Sequence, residues 1–439
     1  MELGSHLKGE FPFDTTWTNL NHGSFGTVPK VVLSKQREYQ NAALSRPDHF
    51  MWYDYPRLIE SSRAAAAALV NAPVETVVFL SNTTEGLSTV LRNLEWEDGD
   101  VILHFSTVYD LTKKAIDFTV DQQGGKLTTQ GIEIEYPVED EEVVRRFEDA
   151  ARAVRDSGKN PCLCVFELVS SQPAGLFPWE ALVRACRQLG ILSMVDGAQG
   201  VGMIKLNLAA TDPDFLVSSC HKWLFVPHSC AVFYVPARNQ HLLPSPLATS
   251  RGYSSKSQRE PAASSFDAKS YFARNFEFTG TRDASAWLAV KDALAYREAV
   301  LGGEDRIMQY LVRLNKAGGQ QIAERLGTFV LDNSKGTMTD CALCNVALPL
   351  WLDAKGAGAK ESDVVLPVEA LDRAMGWIFK LLMEQYKTSM PPFILGKRFF
   401  LRVSAQVYLD LKDYDFAAVI AEDIVRGIRD KSYLEDSRL

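Results

Sequence analysis

The sequence predicts an α/β chain: a mainly parallel central sheet with helices on both faces, followed by a smaller α+β C-terminal domain. Two observations carry this. Apolar runs of strand length alternate with stretches whose apolar residues recur at helical spacing, the pattern of a parallel sheet covered by helices. The chain is also long enough, at 439 residues with 46% hydrophobic and 23% charged, to bury a sizeable core, which excludes global disorder. At about 150 residues per domain, two or three domains are expected.

The elements follow in order. Residues 76–80 read as a buried strand. Beyond them, Leu87, Val90, Leu91 and Leu94 share one helix face, and Ser81-Asn82-Thr83-Thr84 supplies side chains that cap helix starts. Residues 101–105 form a further strand. Residues 162–169 are an apolar strand, and Pro178 is placed to open a helix whose inner face carries Leu182, Val183, Cys186 and Leu189, with Gly190 at its stop. Residues 191–195 are the next strand, ending at Asp196, and 215–218 and 231–235 come after it. Residues 244–265, rich in Ser, Pro and charge, read as a long exposed loop, and 353–362 as a flexible surface insertion. Phe416, Val419, Ile420, Ile424 and Ile428 mark a packed terminal helix. The expected organisation is an N-terminal arm (1–29) joining the small domain, a large domain (30–290) and a small C-terminal domain (291–439).

Lys and Arg number 47 against 55 Asp and Glu, a net charge of −8. That argues against a dedicated nucleic-acid binder, whose phosphate contacts need clustered cations. No apolar run reaches the roughly 18 residues of a membrane span, so no membrane partner is expected. The first residues lack the basic and apolar regions of a secretory signal. Seven cysteines in so long a chain do not make a disulfide framework, and a reducing, cytoplasmic setting is expected. Cys341 and Cys344 form a single C-x-x-C without a second pair or a nearby His, so no metal is expected. Ser437-Arg438-Leu439 is similar to the Ser-Lys-Leu peroxisomal address, which offers a peroxisomal alternative.

The chemistry is concentrated in Val195-Asp196-Gly197-Ala198-Gln199-Gly200 and Ser218-Ser219-Cys220-His221-Lys222-Trp223. Asp196 ends one apolar strand and Lys222 follows the next. The C-terminal ends of parallel strands line the ligand crevice, so a carboxylate and an amine meet on one sheet edge. For either residue alone, a turn cap and a solvated lysine are the simpler readings. Their order and context suit pyridoxal 5'-phosphate, which needs an amine for a Schiff base and a carboxylate for its ring nitrogen.

The string around His221-Lys222 resembles the class V aminotransferase family of fold-type-I PLP-dependent enzymes. Leu20-Asn21-His22-Gly23-Ser24-Phe25-Gly26, residues 196–200 and residues 220–225 are similar to its isopenicillin N epimerase-like branch, with its fungal sulfoxide lyases, from about Leu20 to Tyr408. The resemblance implies that Lys222 carries the Schiff base and shuttles protons, Asp196 pairs with the ring nitrogen, and Gln199 bonds the ring hydroxyl. It implies a phosphate site at Thr83, Thr84, Ser218 and His221, and Tyr109 as the stacking and catalytic ring. Thr281 would reach the phosphate of a neighbouring subunit, making a homodimer with shared sites. Arg402 would hold the substrate α-carboxylate through two parallel hydrogen bonds, with Asn21 and His22 at the substrate mouth and His22 also a candidate catalytic group.

Two places depart from the pattern: Pro227-His228-Ser229 stands where Pro-Arg-Gly is usual, and Trp52 where an arginine is usual. Arg282 is a candidate to compensate for the lost cations. The resemblance implies a small-molecule amino-acid substrate and, as the expected reaction, a C–S lyase β-elimination from a cysteine or cysteine-sulfoxide conjugate giving pyruvate and ammonia; the alternative is an epimerase, cyclising or aminotransferase-type enzyme of fungal secondary metabolism. A cysteine desulfurase is disfavoured, because residues 387–401 hold no cysteine to take up sulfur.

Overall fold

The computed structural model describes residues 2–248, 253–255, 257 and 270–434. Its strands are β1 (Val77–Leu80), β2 (Asp100–Phe105), β3 (Leu127–Ile132), β4 (Asn160–Glu167), β5 (Val169–Ser171), β6 (Ala174–Leu176), β7 (Leu192–Asp196), β8 (Phe215–Ser219), β9 (Ala231–Tyr234), β10 (Leu343–Leu352), β11 (Val364–Leu366), β12 (Pro392–Leu395) and β13 (Arg398–Ser404). A seven-stranded sheet runs in the order β1-β9-β8-β7-β4-β2-β3, and only β9 is antiparallel to its neighbours.

The apolar runs become central strands because both faces are covered. Leu163 and Val165 of β4 pack into one core cluster, while Cys164 and Phe166 pack into the other, on the far side of the sheet. Helices Thr83–Asn93, Asp110–Gln122, Asp140–Asp156 and Trp179–Gln188 supply the cover. A second sheet, β11-β10-β13-β12, packs against helices Glu304–Leu326 and Leu411–Arg429. The N-terminal residues lie along this part of the chain: Gly4 N–H donates to Val407 O at 2.8 Å and Ser404 N–H to Leu20 O at 2.9 Å.

One strand is shorter than its composition suggests. The run expected over 162–169 leaves the sheet at Glu167, and β5 pairs with β6 in a separate hairpin. Pro173, which has no N–H to give a ladder, lies at the turn of that hairpin. Among the described residues no helix is long and apolar enough to cross a membrane. Cys341 Sγ donates to the carbonyls of Met338 and Leu343 within the core. Most of the expected loop over 244–265 and all of Ser437-Arg438-Leu439 lie outside the described residues.

Candidate active site

A cavity of about 230 Å³ opens at the C-terminal edge of the parallel strands, where β4, β7 and β8 end. Asp196 lies at its base. Its Oδ1 accepts the Ala198 N–H and its Oδ2 the Thr112 hydroxyl, both at 3.0 Å, so the buried carboxylate is fixed from two sides. Burial still holds its pKa above the usual carboxylate range.

Lys222 faces it from the short helical turn Cys220–Trp223 that follows β8. Burial lowers its pKa to about 8, opposed by the charge of Asp196 and assisted by that of Arg402. An amine so tuned is partly neutral at physiological pH, as attack on a carbonyl requires.

On the β1 side, helix Thr83–Asn93 begins at the cavity wall. Asn82 caps it by accepting the Glu85 N–H at 2.9 Å, which leaves the Thr83 and Thr84 N–H groups without helical partners. Gly86 lets this helix approach β8: a Cβ there would lie 2.7 Å from the Val217 side chain. Thr83 and Ser219 share a 2.8 Å hydroxyl contact at the mouth of this N-terminus. Free N–H groups and the helix dipole make it an anion site. His221 lines the same wall, with Nδ1 unpartnered and burial lowering its pKa to about 4.

Arg402, from β13, closes the opposite wall. Its Nη1 donates to the Ser171 carbonyl and hydroxyl at 3.0 Å, and its Nη2 to Asn21 Oδ1 at 2.8 Å and Ser24 Oγ at 2.7 Å. Its Nε has no partner, and no carboxylate among the described residues pairs with it. Burial lowers its pKa to about 10. Such a cation is costly unless an anion arrives from outside the chain. Tyr109, 54% exposed, lines the cavity mouth, and Gln199 is held by the Gly23 carbonyl and the Trp223 indole, each at 2.7 Å.

The structure moves four expected residues, Ser218, His22, Asn21 and Arg282, away from the cavity. Ser218 turns its hydroxyl back onto the strand ends, donating to Gly197 O at 2.5 Å and accepting the Val201 N–H at 2.7 Å; Ser219 is the serine that faces the cavity. His22 is fully buried and bonds the Lys222 carbonyl through Nε2 and the Tyr408 hydroxyl through Nδ1. A carbonyl only accepts, so Nε2 carries the proton and Tyr408 donates to Nδ1. Burial lowers the ring's pKa to about 3, so this histidine is a neutral brace for Lys222 and not a substrate contact. Asn21 stands behind Arg402, orienting it. Arg282 lies with its guanidinium 3.7 Å above the Trp287 ring and its Nη1 3.3 Å from Ser81 Oγ, outside the cavity. Thr281 is exposed and is not part of the cavity wall formed by its own chain.

The class V aminotransferase profile matches residues 19–348, a span containing Asp196 and Lys222. The chain belongs to the class V aminotransferase family. The L-cysteine desulfhydrase-like protein lolT1 of Epichloe uncinata is 36% identical, covering 96% of this chain and 97% of its own. Hercynylcysteine sulfoxide lyase of Schizosaccharomyces pombe is 31% identical over 96% of this chain and 97% of its own. Among solved structures, the cystine C–S lyase C-DES in complex with cysteine persulfide has a TM-score of 0.73 at 16% identity, covering 93% of this chain and 98% of its own, a likeness of fold.

The cofactor of a class V enzyme is pyridoxal 5'-phosphate, and this cavity fits it. It offers an amine, a fixed carboxylate, a helix N-terminus for the phosphate, an aromatic wall, and unpartnered polar atoms on His221, Glu167 and Arg402. Glu167, Ser171, Ser24, Thr112 and Ser219 were missed by motif reasoning. Only Glu167 carried a signal: a lone carboxyl ending an apolar strand, as Asp196 does.

Proposed function

We propose that this class V enzyme is a C–S lyase that eliminates the sulfur substituent from Cβ of a cysteine-derived amino acid, giving pyruvate and ammonia. The observation that carries the reading is Arg402, a buried guanidinium without a carboxylate partner, across the cavity from a lysine amine with pKa about 8. This pair suits a zwitterionic α-amino acid, whose carboxylate takes the unpartnered Nε–H of Arg402 and answers its charge while its α-carbon lies within reach of Lys222.

The bound cofactor supplies an electron sink that makes the α-carbon proton acidic. Asp196 would receive the ring nitrogen's N–H, and Gln199 retains an amide N–H that would serve the ring hydroxyl. The Thr83 and Thr84 N–H groups, with the Thr83 and Ser219 hydroxyls, would hold the phosphate. Tyr109 would supply the aromatic wall. Lys222 accepts the α-proton, and its neutral state is favoured by burial. His22 holds the Lys222 backbone in place. Residues 387–401, which form β12 and the start of β13, hold no cysteine, and no cysteine lines the cavity among the described residues, so a sulfur-accepting thiol is missing.

We further propose a two-fold homodimer in which Thr281, exposed on its own chain, completes the phosphate site of the partner. The three-part division at residues 29 and 290 is proposed likewise, as is a cytoplasmic setting. The test is to incubate holoenzyme with cysteine, cystine and cysteine sulfoxides, measuring pyruvate and the released sulfur species. Equal yields of both support elimination. An inverted α-carbon with no pyruvate would sink it in favour of the epimerase reading.

A further inference from the structure

Glu167 has no part in the scheme above, yet it ends β4 directly beside Asp196. The parallel register pairs Glu167 with Asp196 across β4 and β7, so their side chains leave the sheet on one face from strands about 4.8 Å apart. Both line the cavity and both are about 4% exposed. Their surroundings differ. Asp196 accepts an N–H and a hydroxyl, one at each oxygen. Among the described residues Glu167 accepts only the Tyr109 N–H, at 3.2 Å on Oε1, and its Oε2 is buried without a partner.

We propose that Glu167 is a positioning residue that works as a protonated acid: Oε1 clamps the backbone of Tyr109, and the proton on Oε2 leaves Asp196 as the single negative charge facing the cofactor's ring nitrogen. Two buried carboxylates this close do not both ionise, and the proton settles on the one with fewer donors. The groups that face Glu167 are Asp196 from β7, Lys222 from the turn after β8, the Tyr136 phenol after β3 and the Tyr109 N–H after β2. Lys222 is the only cation among them, and it also faces Asp196. Burial and the charge of Asp196 both push the Glu167 pKa well up, in the same direction as the geometry.

Holding Tyr109 matters because its N–H sits at the N-cap of helix Asp110–Gln122, the helix that also brings Thr112 to Asp196. Glu167 thereby ties the aromatic wall and the donor that fixes Asp196 to one strand end.

This inference rests on the roles given to Asp196 and Tyr109. Its test is separable from theirs, because infrared absorption of the purified full-length protein reports the protonation of Glu167 whatever the cavity binds. At pH 7 the wild type should show the C=O stretch of a protonated carboxylic acid, and Glu167→Gln should lose it. Glu167→Gln keeps a neutral side chain and the Oε1 acceptor, so pyridoxal phosphate affinity should stay within about threefold. Glu167→Met, which removes the acceptor, should weaken affinity about tenfold, corresponding to one lost hydrogen bond. The absence of the carboxylic acid band at pH 7, or a tenfold affinity change in Glu167→Gln, would overturn the proposal.

Discussion

Thr112 Oγ1 donates a 3.0 Å hydrogen bond to Asp196 Oδ2, from the first turn of a helix to the end of a strand 84 residues away in the chain. This hydroxyl is one of two donors that stabilise the buried carboxylate. Thr112→Val preserves shape and removes the donor. We expect pyridoxal phosphate to bind the variant roughly tenfold more weakly, about 1.4 kcal/mol, measured by titrating cofactor into apoprotein. An unchanged dissociation constant would mean that Asp196 needs no such support.

Arg402→Lys keeps the charge but cannot reproduce a planar fork held by Ser171, Asn21 and Ser24. Amino-acid KM should rise about 30- to 100-fold, about 2–3 kcal/mol, while the visible spectrum of the bound cofactor stays as in the wild type. A matching loss of cofactor binding would remove Arg402 from substrate recognition.

The lowered Lys222 pKa sets a pH profile. Only the neutral amine attacks an aldehyde, so the rate at which apoprotein captures pyridoxal phosphate should climb tenfold per pH unit and level off near pH 8. An ordinary lysine would keep climbing beyond pH 9. Lys222→Ala should leave no borohydride-trapped adduct; an adduct of wild-type yield in that variant refutes the assignment.

His22 titrates against stability. Its folded pKa lies near 3 and its unfolded value near 6.5, so its contribution is complete above about pH 6.5 and is lost as pH falls towards 3. The slope from this one group approaches 1.4 kcal/mol per pH unit. In urea unfolding, the stability gap between wild type and His22→Gln should therefore narrow from pH 7 to pH 4.5. A constant gap across that range would indicate that His22 takes up its proton equally in the folded and unfolded states, with no lowering of its pKa by burial.

The parallel-sheet architecture and the Asp196–Lys222 pair were legible in the amino-acid order, because apolar runs mark strands and strand ends face one edge. Helix Thr83–Asn93 and its capping Asn82 were legible for the same reason: the signal is local. The local pattern could not say which way a side chain turns. Ser218 and Ser219 are neighbours in one strand, so alternation sends one hydroxyl into the sheet's own turns and the other to the cavity. His22, Asn21 and Arg282 carry the right chemical types, yet contacts with residues 386, 381 and 201 positions away along the chain decide what they touch.

By itself, then, the sequence determined six strands of the large sheet (β1, β2, β4, β7, β8 and β9), the helices that follow β1 and Pro178 and the terminal one, and which carboxylate and amine end up on one sheet edge, since these follow from periodicity and residue type within short windows. The tertiary structure alone decided that Arg402 has no counter-ion among the described residues, that His22 braces Lys222 and that Glu167 stands beside Asp196. Those relationships depend on the register between strands and on packing between distant segments, and burial then converts proximity into the charge states that the chemistry uses.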